Sequence, residues 1–202
     1  MGGFAIALSA VECIKAHRNR EAGPQLVFVI ACASLFLYNC YDIFWRLNMR
    51  VIEFLDKSAV RYEVSEHPPA FTAQQMAAAE HEPGKYVAKP VIVKADGKYI
   101  VCVLSACYKI DLGALKSQLG AESIELAQEK EIGKIFDDCD LGAEPPFGNL
   151  YDLPTVMDKA LEKDDHIMFQ AGSHEKAIRM SMDDYRKLVE PKVLEFSYHV
   201  TS

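Results

Sequence analysis

The sequence predicts an α+β fold: a mixed β-sheet with flanking helices, built by residues 49–202 of the 202-residue chain. Three observations point there. Runs with apolar and polar residues in alternation are interspersed with runs whose apolar residues recur every three to four positions, without strict strand–helix alternation. Turn residues punctuate these runs at short intervals. Half of the residues are apolar and a quarter charged, which suits a packed core and argues against general disorder.

The elements follow in order. In "MRVIEFLDKSAV", Val51, Ile52, Phe54 and Leu55 share a helical face opposite Arg50, Glu53, Asp56 and Lys57. "VRYEVSEH" alternates as a half-buried strand, and "HPPAF" stops it. Thr72, with Gln75 three residues on, forms a capping box for an alanine-rich helix. Pro90–Lys94 and Lys98–Leu104 read as two strands joined by a tight Asp96-Gly97 turn. Asp111 caps a helix that Gly120 ends. "ESIELA" is a strand and "EKEIGKIF" a short helix. After the turn-rich "LGAEPPFGN" come three apolar runs, "PTVMD", "HIMFQAG" and "KAIRMS". Ser181 or Asp183 caps a last helix that runs through Leu188.

Residues 1–48 differ from the rest. Leu26–Tyr38 is apolar apart from one serine and follows Lys15, Arg18 and Arg20. It falls short of the roughly 20 residues of a spanning helix, and extension toward Trp45 takes in Asn39 and Asp42. A mis-called start codon, an anchor and a targeting segment are the three readings, and a domain can begin at Met49 under each.

Net charge is -7, which argues against a protein that coats nucleic acid through a broad basic face and leaves room for contact with one end of an RNA through a local patch. The charge is unevenly spread. Five lysines and one aspartate lie between Lys85 and Lys109, whereas eight acids and two lysines lie between Glu122 and Glu144. Such asymmetry can orient an anionic partner toward the lysine-rich hairpin. The six cysteines form no CxxC pair and read as free, mostly buried thiols of a reducing compartment. The histidines are scattered singly, so neither a metal site nor a cofactor is expected.

Three features stand out. Lys89 precedes Pro90 where a strand emerges, a place from which an ammonium can reach a cleft. Gly142-Ala-Glu-Pro-Pro146-Phe-Gly148 is a stiff loop whose glycines allow close approach of backbone to a ligand. Gly172-Ser173-His174 ends the strand "HIMFQA" with exposed N–H groups, a hydroxyl and an imidazole.

In this order the three features, with "AKPVIVKADGKYIVCVLSA", "KIDLGALKSQLGAESIELA", "LPTVMD" and "FQAGSHEKAIRMSMDDY", resemble the YbaK/EbsC family. That family includes the editing domain inserted in bacterial prolyl-tRNA synthetases, and the resemblance covers Met49 to about Lys192. It implies trans-acting hydrolysis of a mischarged aminoacyl-tRNA. The implied site is Lys89, Gly142 and Pro146 of a GxxxP loop, and Gly172, Ser173 and His174. Two departures, Pro90 where many members carry a hydroxyl residue and His174, leave the amino acid open.

The implied partner is the 3′ acceptor end of aminoacyl-tRNA, with a synthetase or an elongation factor as further partners. The implied place is the cytoplasm, or a membrane if residues 1–48 are an anchor. An activated ester needs positioning, an oxyanion stabiliser and an oriented water more than a strong nucleophile. Lys89 can hold the terminal phosphate or a carbonyl oxygen. The amides of Gly142 and Gly172 can hold the ribose and the oxyanion, and a ribose hydroxyl can help deliver the water. A non-catalytic module that binds tRNA or aminoacyl-tRNA and a membrane-tethered interaction protein are the competing functions.

Overall fold

The computed structural model describes residues 49–199. The readings of residues 1–48 lie outside them. Helix α1 (Arg50–Lys57) buries Val51, Ile52 and Leu55 and leaves its charged residues in solvent. Met49 offers it no side-chain cap. A carboxylate oxygen of Asp138 instead accepts the Arg50 N–H at 3.1 Å, while the Arg50 guanidinium meets Asp137 at 2.8 Å. An anion at the positive end of the helix is thus supplied from far along the chain.

Strands β1 (Tyr62–Glu66), β7 (His166–Gln170) and β8 (Lys176–Ser181) form an antiparallel sheet in the order β1-β8-β7. A five-stranded mixed sheet has the order β5-β2-β3-β6-β9, with β2 at Ala88–Ala95, β3 at Lys98–Ser105, β5 at Ile124–Leu126, β6 at Thr155–Asp158 and β9 at Lys192–Leu194. In it β2 runs antiparallel to β3 and β5, while β3, β6 and β9 are mutually parallel. Strands β4 (Tyr108–Ile110) and β10 (Ser197–His199) make a separate antiparallel ribbon. The expected α+β class with a mixed sheet holds.

Alternation along β2 and β3 sends side chains to two faces. Ala88, Ile92, Val101 and Val103 join the main core with Phe147, Phe169 and Tyr185. Val93, Cys102 and Leu104 face the other way, against Leu115 of α3 (Leu112–Leu119) and Phe196. A third cluster forms around α2 (Ala73–Ala79), where Met76 and Ala77 meet Val87, Ala106 and Met168. Helices α4 (Glu129–Ile135) and α5 (Met182–Val189) complete the set among the described residues.

The local chemistry is as expected at most ends. Thr72 and Gln75 form the capping box, Asp111 caps α3, and Gly120 ends it with φ +67°. Ser181, not Asp183, caps α5 through the Asp184 N–H. One boundary differs. β2 begins at Ala88, so Pro90 is its third residue rather than its first. A proline fits there because the strand lacks a ladder partner on that side. β7 bridges to Val87, the residue just before β2, and β5 pairs from Val93 onward, so the missing N–H falls in the gap.

No helix among the described residues is long and apolar enough to cross a membrane. Residues 49–199 form three core clusters with many fully buried side chains among themselves. A chain shortened to begin at Met49 is therefore expected to fold and to melt in one cooperative transition. An insoluble product, or a broad melt where the full chain melts sharply, counts against residues 49–202 as a unit.

Candidate active site

Lys89 shares a face of β2 with Val87 and Val91. Val87 packs in the α2 cluster and Val91 against the α3 cluster, so the lysine between them leaves the sheet between the two helices. It is half-buried, and its Nζ donates to the backbone oxygen of Tyr108 at 2.6 Å. No carboxylate pairs with it among the described residues. Burial, and secondly the nearby ammonium of Lys109, hold its pKa below the usual lysine value, with Cys107 opposing.

The other predicted residues gather where two loops meet. The β7–β8 connection turns at Gly172, with φ +88°. The Gly172 N–H donates to Ala143 O at 3.0 Å, and its oxygen accepts the Asp140 N–H at 2.8 Å, which ties this turn to the GxxxP loop. Gly142, with φ +92°, lies close to His174, since a Cβ added to it would sit 3.6 Å from His174 Cε1. The His174 ring lies between two carbonyls, with Nδ1 3.2 Å from Ala70 O and Nε2 3.1 Å from Leu141 O, and its tautomer decides which of them takes the N–H. The Phe71 ring, 65% exposed, lies 4.7 Å from the imidazole.

The two glycine amides do not serve as expected. The Gly142 N–H donates to Glu144 Oε1 at 2.9 Å and the Gly172 N–H to Ala143, so both are spent within the loops. The following N–H groups, of Ser173 and His174, have no acceptor among the described residues. They are consecutive donors beside a left-handed glycine, an arrangement suited to an anionic oxygen. The Ser173 hydroxyl accepts the Glu175 N–H at 3.1 Å and so shapes the turn. Pro146 is buried, and its carbonyl accepts the hydroxyl of the wholly buried Tyr185 at 2.8 Å. It anchors the loop from behind.

No hydrogen bond joins Lys89 to Gly142, Gly172, Ser173 or His174. The frame between them is α2 and β7. The start of β2 docks on β7 through a parallel bridge from Val87 to Met168, and Met168 N–H donates to Tyr86 O at 2.9 Å. Two residues on, Gln170 donates at 2.6 Å to Ala70 O, the same oxygen that faces His174. Gln74, in the first turn of α2, donates at 3.1 Å to Ala106 O, next to Cys107. Entry to α2 thus binds the His174 loop on one side and the β3–β4 turn beside Lys89 on the other.

Sequence reasoning passed over Gln170, Glu144, Phe71 and the Tyr108 carbonyl. Glu144 and Gln170 stood inside singled-out segments, and an acid set between two glycines and beside two prolines was a usable signal. Nothing in the chain announces a lysine held by a backbone oxygen. Burial pushes the Cys139 thiol up to about 12, and Cys102 likewise, so neither is a thiolate nucleophile at neutral pH. Among the described residues no group of three His, Cys, Asp or Glu side chains could hold a metal.

The site thus presents a half-buried lysine without a carboxylate partner and two consecutive amides without an acceptor among the described residues. The model of the aminoacyl-tRNA editing domain family matches residues 67–188. The chain belongs to that family. It is 26% identical over 154 residues to the multifunctional Ser/Thr-tRNA deacylase ProXp-y of Escherichia coli (strain K12), covering 74% of this chain and 92% of the relative. It is 27% identical over 146 residues to the prolyl-tRNA editing protein ProX of Acetoanaerobium sticklandii, covering 69% and 88%. A crystal structure of a candidate trans-editing enzyme for prolyl tRNA synthetase superposes with a TM-score of 0.67 at 20% identity, over 75% of this chain and 96% of that one. This last likeness supports the fold. As a member of an editing family the chain has aminoacyl-tRNA as its partner.

Proposed function

We propose that this aminoacyl-tRNA deacylase hydrolyses, in trans, the ester bond of a mischarged tRNA at the mouth formed by Lys89, Ser173 and His174. The observation that carries the assignment is the half-buried Lys89 ammonium with no carboxylate partner, framed by α2 together with two free amides. Lys89 holds the phosphate of the terminal nucleotide. The Ser173 and His174 N–H groups receive the oxyanion as water adds to the ester carbonyl. The C–O bond to the ribose then breaks, the ribose oxygen takes a proton, and the amino acid leaves as its carboxylate. The vicinal ribose hydroxyl orients the water, so the site works through positioning and electrostatics. His174 sits between Ala70 O and Leu141 O, donates its one N–H to either of them, and so packs between the two segments that carry them.

The name of the Escherichia coli relative puts seryl- and threonyl-tRNA first among substrates to try, followed by alanyl- and cysteinyl-tRNA. Action in the cytoplasm, beside a prolyl-tRNA synthetase or before an elongation factor captures the charged tRNA, fits this chemistry. The test is release of labelled amino acid from each of these four tRNAs. A rate no higher than buffer alone on all of them overturns the catalytic reading and leaves a non-catalytic tRNA-binding module. Chelator is expected to leave the rate unchanged. Loss of activity in EDTA, restored by one added metal, would count against this mechanism.

A further inference from the structure

We propose that the β4–β10 ribbon is the docking surface for the single-stranded 3′ end of tRNA just before its terminal nucleotide, with Tyr198 stacking on a base and Lys109 pairing with a phosphate. The proposal rests on tRNA as substrate, but its residues lie apart from the reacting centre. Tyr198 and Lys109 are direct cross-strand partners, so their side chains share one face of the ribbon. Both are exposed, Tyr198 at 53%. Few large apolar side chains among the described residues are so open.

On the opposite face Tyr108 and Ile110 pack against the α3 cluster, and the Tyr108 and His199 rings meet edge-on at 5.2 Å. The segment before β10 is fastened too. Phe196 is fully buried, its N–H donates to Asp158 at 2.9 Å, and its oxygen accepts the Asp111 N–H at 2.7 Å. Tyr198 is therefore an exposed aromatic on a ribbon fastened to the core on its other face.

Charge names the occupant. Lys109 has no carboxylate partner among the described residues, and it lies near enough to Lys89 for its charge to be felt there. Two uncompensated cations in an acidic chain call for an anion. Lysine beside an open aromatic is the pairing by which proteins hold single-stranded nucleic acid, with the phosphate on the cation and the base on the ring. The surface is continuous with the candidate active site, because Tyr108, the first residue of the ribbon, supplies the carbonyl that holds Lys89. β10 lies beyond the residues that the family model matches.

The test measures binding of uncharged tRNA, with and without its terminal CCA, by the full chain. The variants are Tyr198→Ala, Tyr198→Phe, Lys109→Ala and, as a control at the far end of the β2–β3 hairpin, Lys98→Ala. The wild type is expected to prefer intact CCA. Tyr198→Ala should weaken that binding about tenfold, the scale of one lost base stack. Tyr198→Phe should keep it, since the Tyr198 hydroxyl has no partner among the described residues. Lys109→Ala should reduce the slope of log affinity against log salt by about 0.7, one phosphate contact on a single strand. Lys98→Ala should change neither. In deacylation, Tyr198→Ala and Lys109→Ala should raise KM and keep kcat.

Equal wild-type affinity for tRNA with and without CCA overturns the surface. So does unchanged binding by both Tyr198→Ala and Lys109→Ala. If the wild type hydrolyses aminoacyl-tRNA while these variants behave normally, the surface falls and the reaction stands. If it hydrolyses none but binds CCA in a Tyr198-dependent way, the reaction falls and the surface stands.

Discussion

Replacing Lys89 with alanine is expected to lower deacylation by about two orders of magnitude at saturating substrate, the scale for removing one transition-state stabiliser. The fold should hardly notice. The one hydrogen bond lost is to Tyr108 O, at a half-buried position that water can reach. The stability change should stay within about 1 kcal/mol. The pH dependence has a definite sign. The pKa of Lys89 in the folded chain lies below its unfolded value, through burial first and Lys109 second. The folded state therefore binds fewer protons between the two values. Stability gained from this group rises with pH across that alkaline window, and the small cost of burying the charge applies at neutral pH.

Activity runs the other way. It needs the charged form and should fall as pH rises through the lowered lysine pKa, a limb missing from the residual activity of Lys89→Ala. Lys98→Ala removes the same charge from the exposed end of the hairpin and should keep near-normal kcat. Lys94 is a poor control, because its ammonium meets Glu131 at 3.1 Å within a network that includes Tyr99. If Lys89 only steers tRNA, high salt should reproduce the loss in wild type and saturating substrate should erase it. Near-normal turnover by Lys89→Ala removes the lysine from the mechanism.

Much of this fold was legible because its signals are local. Thr72 with Gln75, Asp111 with Gly120, and Asp96-Gly97 each specify an end or a turn from a few neighbouring residues, and each does so in the structure. The strands missed were β4, β9 and β10, each three residues long, too short to show a period. Their formation depends on distant partners, Ile110 with Ser197 for example. The candidate site divides in the same way. Lys89, Gly142, Gly172 and His174 carry residue-type signals that a chain displays openly. Which amide remains free is a matter of tertiary hydrogen bonding. Glu144 reaches back to Gly142, and Ala143 takes the Gly172 N–H, and neither pairing can be read from composition or spacing.

Phe147→Ala should be the most damaging single change to stability. Its side chain is fully buried, and its ring meets Phe54 at 6.1 Å, Phe169 at 5.4 Å and Tyr185 at 5.4 Å between centroids. Truncation removes a large apolar group and leaves a cavity that three aromatic neighbours cannot close, at a cost of about 3–5 kcal/mol. That is a large share of the roughly 5–15 kcal/mol available to a typical domain. Tm should drop by on the order of 10 °C. Phe147→Leu keeps most of the volume and should cost much less. The effect should also reach the site. Phe147 directly follows the GxxxP loop, whose Pro146 carbonyl is tied to the Tyr185 hydroxyl. When the ring is gone, Tyr185 loses an edge-on partner, and the loop that carries Gly142 and Glu144 loses its anchor. At a temperature where Phe147→Ala remains folded, its kcat should therefore fall while Phe147→Leu stays near wild type. A melt for Phe147→Ala within a few degrees of wild type would mean that this ring does not hold the loop to the core.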